Sequence, residues 1–238
     1  MDLDLTDVSD LLNVTEETVT RWLQDGKIPS YRLNNECRFN RNEVENWVLT
    51  FHTESNEKQQ HSNNGSVSFA TELQEGKAKN PRGISQFNLY RAVNKGGIYK
   101  DVPGKSKEEV IKNAVLSIVQ HLDLDATSLT ELLLDREKLM PTALNEGIAM
   151  PHTRDFLLET HFDIVSVVYP KQPINYGALD KKPVTVLFFL FACDDRRHLQ
   201  LLAKVAHFTS EQRNRKFLHT KPTREELLQN IREWENRF

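Results

Sequence analysis

Cysteine is nearly missing. Cys37 and Cys193 are the only two in 238 residues, too few for a disulfide framework, so the chain depends on apolar packing. Basic charge is not in excess either: 31 Lys and Arg stand against 34 Asp and Glu, a formal net charge of −3, and nothing in that total requires nucleic acid. The start, Met1-Asp2-Leu3-Asp4, has neither the basic nor the apolar region of a signal peptide. The longest apolar run, Val184 to Cys193, falls well short of the roughly 20 residues of a membrane-spanning helix and reads as a buried strand. The expectation is a cytoplasmic chain with no membrane insertion. His-x-x-x-His and Cys-x-x-Cys spacings are also lacking, so no metal and no other cofactor is expected.

What is present is ordinary globular material, 38% apolar and 27% charged, in a chain long enough for two domains with a core each. Residues 52–82 turn polar, with Ser-Asn-Glu-Lys-Gln-Gln-His-Ser-Asn-Asn-Gly from Ser55, and read as a flexible linker with one short apolar spot at Val67-Ser68-Phe69. The predicted domains are therefore 1–51, the linker 52–82, and 83–238. The first of these carries 5 basic and 10 acidic residues, a net charge of −5.

In the first domain Thr6 is expected to cap a helix bearing Val8, Leu11 and Leu12, and Thr15 a second bearing Val19, Trp22 and Leu23, with Asn13 at the turn. Gly26 ends that helix. Ile28-Pro29 forces an extended exit, and Tyr31-Arg32-Leu33 and Arg38-Phe39 flank Asn34-Asn35 as the arms of a wing. Helical spacing returns through Val44, Trp47 and Val48; Trp22, Trp47 and Phe39 are predicted core. Val8-Ser9-Asp10-Leu11-Leu12-Asn13-Val14-Thr15, Thr18-Val19-Thr20-Arg21-Trp22, Gly26-Lys27-Ile28-Pro29 and Arg38-Phe39 resemble the excisionase/MerR-like winged helix-turn-helix family. That resemblance implies DNA contacts from Glu17, Thr18, Thr20 and Arg21 on the second helix and from Arg32, Asn34, Asn35 and Arg38 on the wing. The wing tip Asn34-Asn35-Glu36-Cys37 departs from a basic, glycine-rich pattern, and the −5 charge makes any monomeric DNA affinity weak and salt-sensitive, so a homodimer or partner would be needed. The alternative is a protein-docking module that keeps the fold without DNA affinity.

The larger domain is predicted α/β: a mixed sheet flanked by helices on both faces. Ser106-x-x-Glu109, Ser128-x-x-Glu131 and Thr223-x-x-Glu226 read as capping boxes, and a long helix is expected from about Arg196 through Phe208. Strands are expected at Ile98–Val102, Ile164–Val168 and Val184–Phe191, the last buried on both faces. Gly147-Ile148-Ala149-Met150-Pro151-His152 holds its histidine on a constrained backbone, His198 opens the long helix, and Arg136 lies on the helix before. An imidazole so placed, with a second imidazole and a guanidinium beside it, suits a phosphoryl group of roughly −2 charge, provided the ring is exposed to an in-line donor. His207 is expected on a helix surface, and Glu146 as a hydrogen-bonded loop residue.

Arg136, Asn145-Glu146-Gly147-Ile148-Ala149-Met150-Pro151-His152, Pro173-Ile174, Asp180-Lys181-Lys182-Pro183-Val184 and His198-Leu199-Gln200-Leu201-Leu202-Ala203 resemble the enzyme IIA domain of the fructose/mannitol/nitrogen-regulatory branch of the phosphoenolpyruvate-dependent phosphotransferase system. The resemblance implies His152 as phosphoacceptor through Nε2, His198 as its hydrogen-bonding partner, Arg136 at the phosphate site, and the histidine phosphocarrier HPr as donor. Thr153 and Met140-Pro141-Thr142-Ala143-Leu144 depart from the family pattern. The implied role is a regulatory phosphocarrier with no small-molecule turnover of its own. A transcription regulator or scaffold with an unused phosphosite, and a sugar-specific enzyme IIA serving a separate permease, are the alternatives.

Overall fold

In the computed structural model, which describes residues 2–12, 14–33, 36–48, 88–122, 124–144, 146–153 and 162–237, the first helix begins on Asp4 rather than on Thr6. Asp4 Oδ1 accepts the Asp7 N–H at 2.8 Å, and Asp7 Oδ2 accepts the Asp4 N–H at 3.0 Å. A carboxylate outcompetes a hydroxyl at this position because it also meets the positive end of the helix dipole. Helix α1 (Leu5–Leu12) follows, and Thr6 instead donates to Glu16 Oε1 at 2.8 Å, tying α1 to α2 (Glu16–Gln24). Thr15 caps α2 as expected, accepting from the Thr18 N–H at 3.3 Å.

Strands β2 (Tyr31–Leu33) and β3 (Glu36–Asn40) form the antiparallel wing. An unexpected two-residue strand, β1 (Asp2–Leu3), pairs with the other edge of β3, too short to leave a periodic signal. Residues 41–48 are helical, α3. Val8, Val19, Trp22, Phe39, Val44 and Val48 are fully buried, and the Trp22 and Trp47 rings meet at 5.2 Å between centroids. Asn13, the wing tip Asn34-Asn35 and the linker segment 52–82 lie outside the described residues.

The second unit opens with α4 (Asn88–Gly96), which carried no cap signal, and then β4 (Ile98–Val102) and α5 (Lys107–Ile118), capped by Ser106. Helix α6 (Ala126–Leu139) starts a turn earlier than Ser128-x-x-Glu131 suggested, because Asp125 accepts the Ser128 N–H at 2.7 Å. The other strands are β5 (Ile148–Ala149), β6 (Ile164–Pro170) and β7 (Val186–Phe191). Their order is β4-β6-β7-β5, with β6 and β7 antiparallel and both outer pairs parallel, so the sheet is mixed as predicted. Helices α7 (Asp195–Ser210), α8 (Gln212–His219) and α9 (Arg224–Glu235) complete the chain, α9 behind the full Thr223/Glu226 capping box.

Every residue of β6 and β7 is buried, and alternation assigns their side chains to two cores. Ile164, Val168, Leu187, Phe189 and Phe191 pack with α5 and α6. Val165, Val167, Tyr169, Phe188 and Leu190 pack with α4, α7 and α9, and that cluster runs on without a break into Val8, Trp22 and Val48 of the N-terminal unit. His207 is not on a surface: its side chain is buried, and the ring packs edge-on against Trp234 of α9 at 5.1 Å. Among the described residues no helix is long and apolar enough to cross a membrane.

Helix α4 reaches the sheet through Gly96, where a Cβ would fall 2.3 Å from the Val165 carbonyl oxygen while Ser166 Oγ donates to the Gly96 carbonyl at 2.8 Å. Gly96→Ala is expected to destabilise the protein by about 3 kcal/mol, since backbone must move to admit the methyl group. Gly26→Ala, with φ +63 and open space around the new atom, should cost only about 1 kcal/mol. Equal unfolding midpoints in urea for the two variants would refute the close-approach argument.

Candidate functional site

Met140 is the C-cap of α6, and Arg136 one turn earlier donates from Nη1 to its carbonyl at 3.2 Å, which fixes the guanidinium. The chain then doubles back through Met150 N–H to the Thr142 carbonyl at 2.9 Å and Leu144 N–H to the Ile148 carbonyl at 2.8 Å. Glu146 and Gly147 both take positive φ, 64 and 77, at the corner. A Cβ on Gly147 would come within 3.1 Å of the Pro183 carbonyl oxygen, so the residue is needed for close approach as well as for the turn. Glu146 is a hydrogen-bonded loop residue as expected, its N–H donating to Asp180 Oδ2 at 2.7 Å.

Pro151 extends the strand, its carbonyl accepting the Leu190 N–H at 3.0 Å, and His152 emerges beside β7. His152 Nδ1 lies 2.8 Å from the Met150 carbonyl oxygen. A carbonyl only accepts, so the proton sits on Nδ1 and Nε2 is the nitrogen turned to the site. His198 enters from the first turn of α7, whose start is fixed by Asp194 accepting the Arg197 N–H at 2.9 Å. The two rings stand 5.3 Å apart between centroids. His152 and His198, chosen from separate stretches of sequence, therefore do meet, and Arg136 joins them through a carboxylate oxygen that it shares with His152.

One expectation is corrected. His152 is not exposed to an incoming donor; its relative exposure is 0%, because Glu45 of α3 fills the space in front of it. Glu45 Oε1 lies 2.7 Å from His152 Nε2 and 3.3 Å from Arg136 Nη2, and Oε2 lies 3.9 Å from His198 Nε2. Arg136 Nη2 also donates to Asn46 Oδ1 at 3.2 Å. Glu45 was missed because its neighbours Val44, Trp47 and Val48 mark only a core helix. The available signal was charge: an acidic domain joined to one with a cationic pocket.

Burial by itself raises the Glu45 carboxyl, but the His152 hydrogen bond and the charges of His152 and Arg136 outweigh it and hold the group well below the ordinary carboxylate range. Burial, with the His152 charge beside it, pushes His198 down to about 3, so that ring is neutral at pH 7 and offers hydrogen bonds rather than charge. Glu45, His152 and His198 bring ligand-type atoms within 4.8 Å of one another. The Arg136 guanidinium on the same carboxylate oxygen already supplies the positive charge a metal ion would bring, so the set reads as an ion-pair network.

The residues singled out for DNA do not all face outward. Thr18 is a correction: it is buried, its hydroxyl 3.0 Å from that of Thr15 at the helix cap. Thr20 Oγ1 donates back to the Glu16 carbonyl at 2.8 Å. Glu17, Arg21 and Arg32 are exposed, and Arg38 is half-buried and paired with Glu36 at 2.5 Å.

Because the folded His198 titrates near 3 rather than near 6.5, the unfolded chain binds the extra proton first, and stability is complete above pH 6.5 and falls as pH drops towards 3. Glu45 adds to the loss in the same direction below its ordinary value of 4.5. Between pH 7 and pH 5 the His198 contribution should fall by about 2 kcal/mol. Calorimetric Tm measurements across that range should show a steep slope that His198→Gln flattens; an unchanged slope would rule out His198 as its source.

Residues 92–234, more than half of the chain, match the family model described as "Phosphoenolpyruvate-dependent sugar phosphotransferase system, EIIA 2", and residues 3–50 match the model "Helix-turn-helix domain". The chain is similar to the nitrogen regulatory protein of Pseudomonas aeruginosa, 32% identical over 153 residues that make up 63% of this chain and 98% of that one. A nitrogen regulatory protein of Escherichia coli is 31% identical over 152 residues, 63% of this chain and 92% of the other. Among solved structures, nitrogen regulatory protein IIA-Ntr from Neisseria meningitidis superposes with a TM-score of 0.51 at 28% identity, covering 60% of this chain and 94% of that one. The chain belongs to the EIIA type 2 family of the phosphoenolpyruvate-dependent sugar phosphotransferase system and carries an N-terminal helix-turn-helix domain in the same polypeptide.

Proposed function

We propose that this chain is a cytoplasmic regulatory phosphocarrier, of the nitrogen-regulatory kind, that accepts a phosphoryl group from an HPr-type protein on Nε2 of His152. The observation that carries this reading is the His152 Nδ1 bond to the Met150 carbonyl, which turns Nε2 to the side where the Glu45 carboxylate is shared with Arg136 and the His198 ring stands 5.3 Å away. In the transfer, the N–P bond of the donor's phosphohistidine breaks as the Nε2 lone pair of His152 forms the new one, and the donor nitrogen regains its lone pair. Arg136 supplies positive charge to the moving phosphoryl oxygens, and His198 a hydrogen bond from its ring N–H. Domains 1–51 and 83–238, joined by 52–82, would then couple the phosphorylation state to DNA or to a protein partner.

The relatives named as nitrogen regulatory proteins favour this over a sugar-specific enzyme IIA serving a permease. A regulator whose phosphosite is unused draws support from one feature, the covered His152. Incubation with phosphoenolpyruvate, enzyme I and HPr separates them: the expected product is an acid-labile adduct, absent in His152→Ala and formed about 100-fold more slowly in Arg136→Gln. No adduct in the wild type under any condition would favour the unused site.

For DNA, Arg21 and Arg32 are the exposed cations of the helix-turn-helix unit. Binding measured by fluorescence anisotropy should weaken steeply with salt, and Arg32→Ala should reduce the slope of log K against log salt by about one. No binding at the lowest workable salt concentration would leave a protein-docking role for the unit.

A further inference from the structure

We infer that Glu45 is a built-in stand-in for the phosphoryl group, and that docking of the N-terminal domain on the EIIA domain and phosphorylation of His152 exclude one another. The inference rests on His152 being the phosphoacceptor. A phosphoryl group on Nε2 would set its oxygens among Arg136 and His198, and the Glu45 carboxylate already occupies that space, 2.7 Å from Nε2 and 3.3 Å from Nη2 of Arg136. The two anions can neither fit together nor share the site electrostatically.

Docking also removes the nucleophile. In the docked state both ring nitrogens of His152 face acceptors, the Met150 carbonyl and the ionised Glu45 carboxylate. Both must donate, so the ring is held as an imidazolium with no lone pair to offer. Transfer therefore requires Glu45 to leave and the Nε2 proton to go with it or to solvent.

Glu45, at 0% exposure, and Arg136, at 3%, are buried charges whose compensation comes from across the interface. Separating the domains without refilling the pocket strands the guanidinium, and a phosphoryl group refills it. The contact is wider than one carboxylate. Asn46 accepts from Arg136, Gln200 Nε2 on α7 donates to the Asp10 carbonyl of α1 at 3.3 Å, and one apolar cluster spans both units. Glu17 and Arg21 on α2 remain exposed in this arrangement, so docking governs where the helix-turn-helix unit is held and not whether α2 is covered.

The test uses the full chain and phosphoramidate, a donor small enough to need no protein partner. Its P–N bond breaks as Nε2–P forms, and its nitrogen leaves as ammonia. Glu45→Gln keeps the shape of the side chain but removes its charge, and should be phosphorylated at least about 30-fold faster than wild type. Asn46→Ala, which spares the carboxylate, should gain only about fivefold. Equal rates for wild type and Glu45→Gln would overturn the inference. If no form accepts phosphate while His152 is intact, the phosphocarrier reading fails, and the cap is judged by diethyl pyrocarbonate, which acylates unprotonated imidazole nitrogen. A wild-type His152 protected at least about 30-fold relative to Glu45→Gln supports the cap; equal modification sinks it. Hydrogen exchange gives the converse: phosphorylation of the wild type should deprotect the amides of 41–48, and unchanged protection there would contradict mutual exclusion.

Discussion

A carboxylate and a guanidinium taken out of water together need each other, and in this protein they come from different domains. Glu45 arrives on α3 and Arg136 on α6, with His152 as the third member. Neither charge could stay buried if its partner were removed, because an uncompensated ion in a low-dielectric site is far costlier than a compensated one. The association of the two units and the electrostatic state of the proposed phosphosite are therefore one equilibrium viewed from two sides. A ligand that carries more negative charge than a carboxylate, and attaches covalently to the ring that Glu45 only touches, is the natural competitor.

The rest of the fold brings that ring to its place. Strand β7, buried on both faces, pairs with β5 and bonds the carbonyl of Pro151, so His152 is held against a fully buried strand of the sheet. Two consecutive positive-φ residues before β5 allow the chain to return next to the end of α6, where Arg136 waits. His198 comes from the helix that follows β7, so the two imidazoles flank the same strand end. Burial keeps His198 neutral, which makes it a hydrogen-bond donor that does not compete with Arg136 for charge.

The acidity of residues 1–51 has a second meaning in this light. A net charge of −5 is a handicap on a DNA backbone but an asset against a cationic pocket, and Glu45 is the residue through which the domain uses it. The helix-turn-helix fold and the docking role do not conflict, since the outer face of α2 and the inner face of α3 are different surfaces of one small unit.

Local chemistry was legible in the chain by itself. Thr15, Ser106 and Thr223 as caps, the apolar stretch of β7, the Trp22, Trp47 and Phe39 core, and the trio Arg136, His152 and His198 all follow from neighbours within a few residues or from spacing that a family resemblance explains. The near misses are local as well: Asp4 displaced Thr6, and Asp125 displaced Ser128, because a nearby carboxylate is the stronger acceptor at a helix start. What only the tertiary structure decided was which groups meet between separate elements of the fold. His207 went from surface to core when α9 covered it, and Glu45 became the partner of His152, 107 positions away, by the docking of one domain on another. Sequence order fixes the short-range competition for backbone hydrogen bonds; burial of charge is settled by the whole fold, since only there does a carboxylate find which cation will share its loss of water.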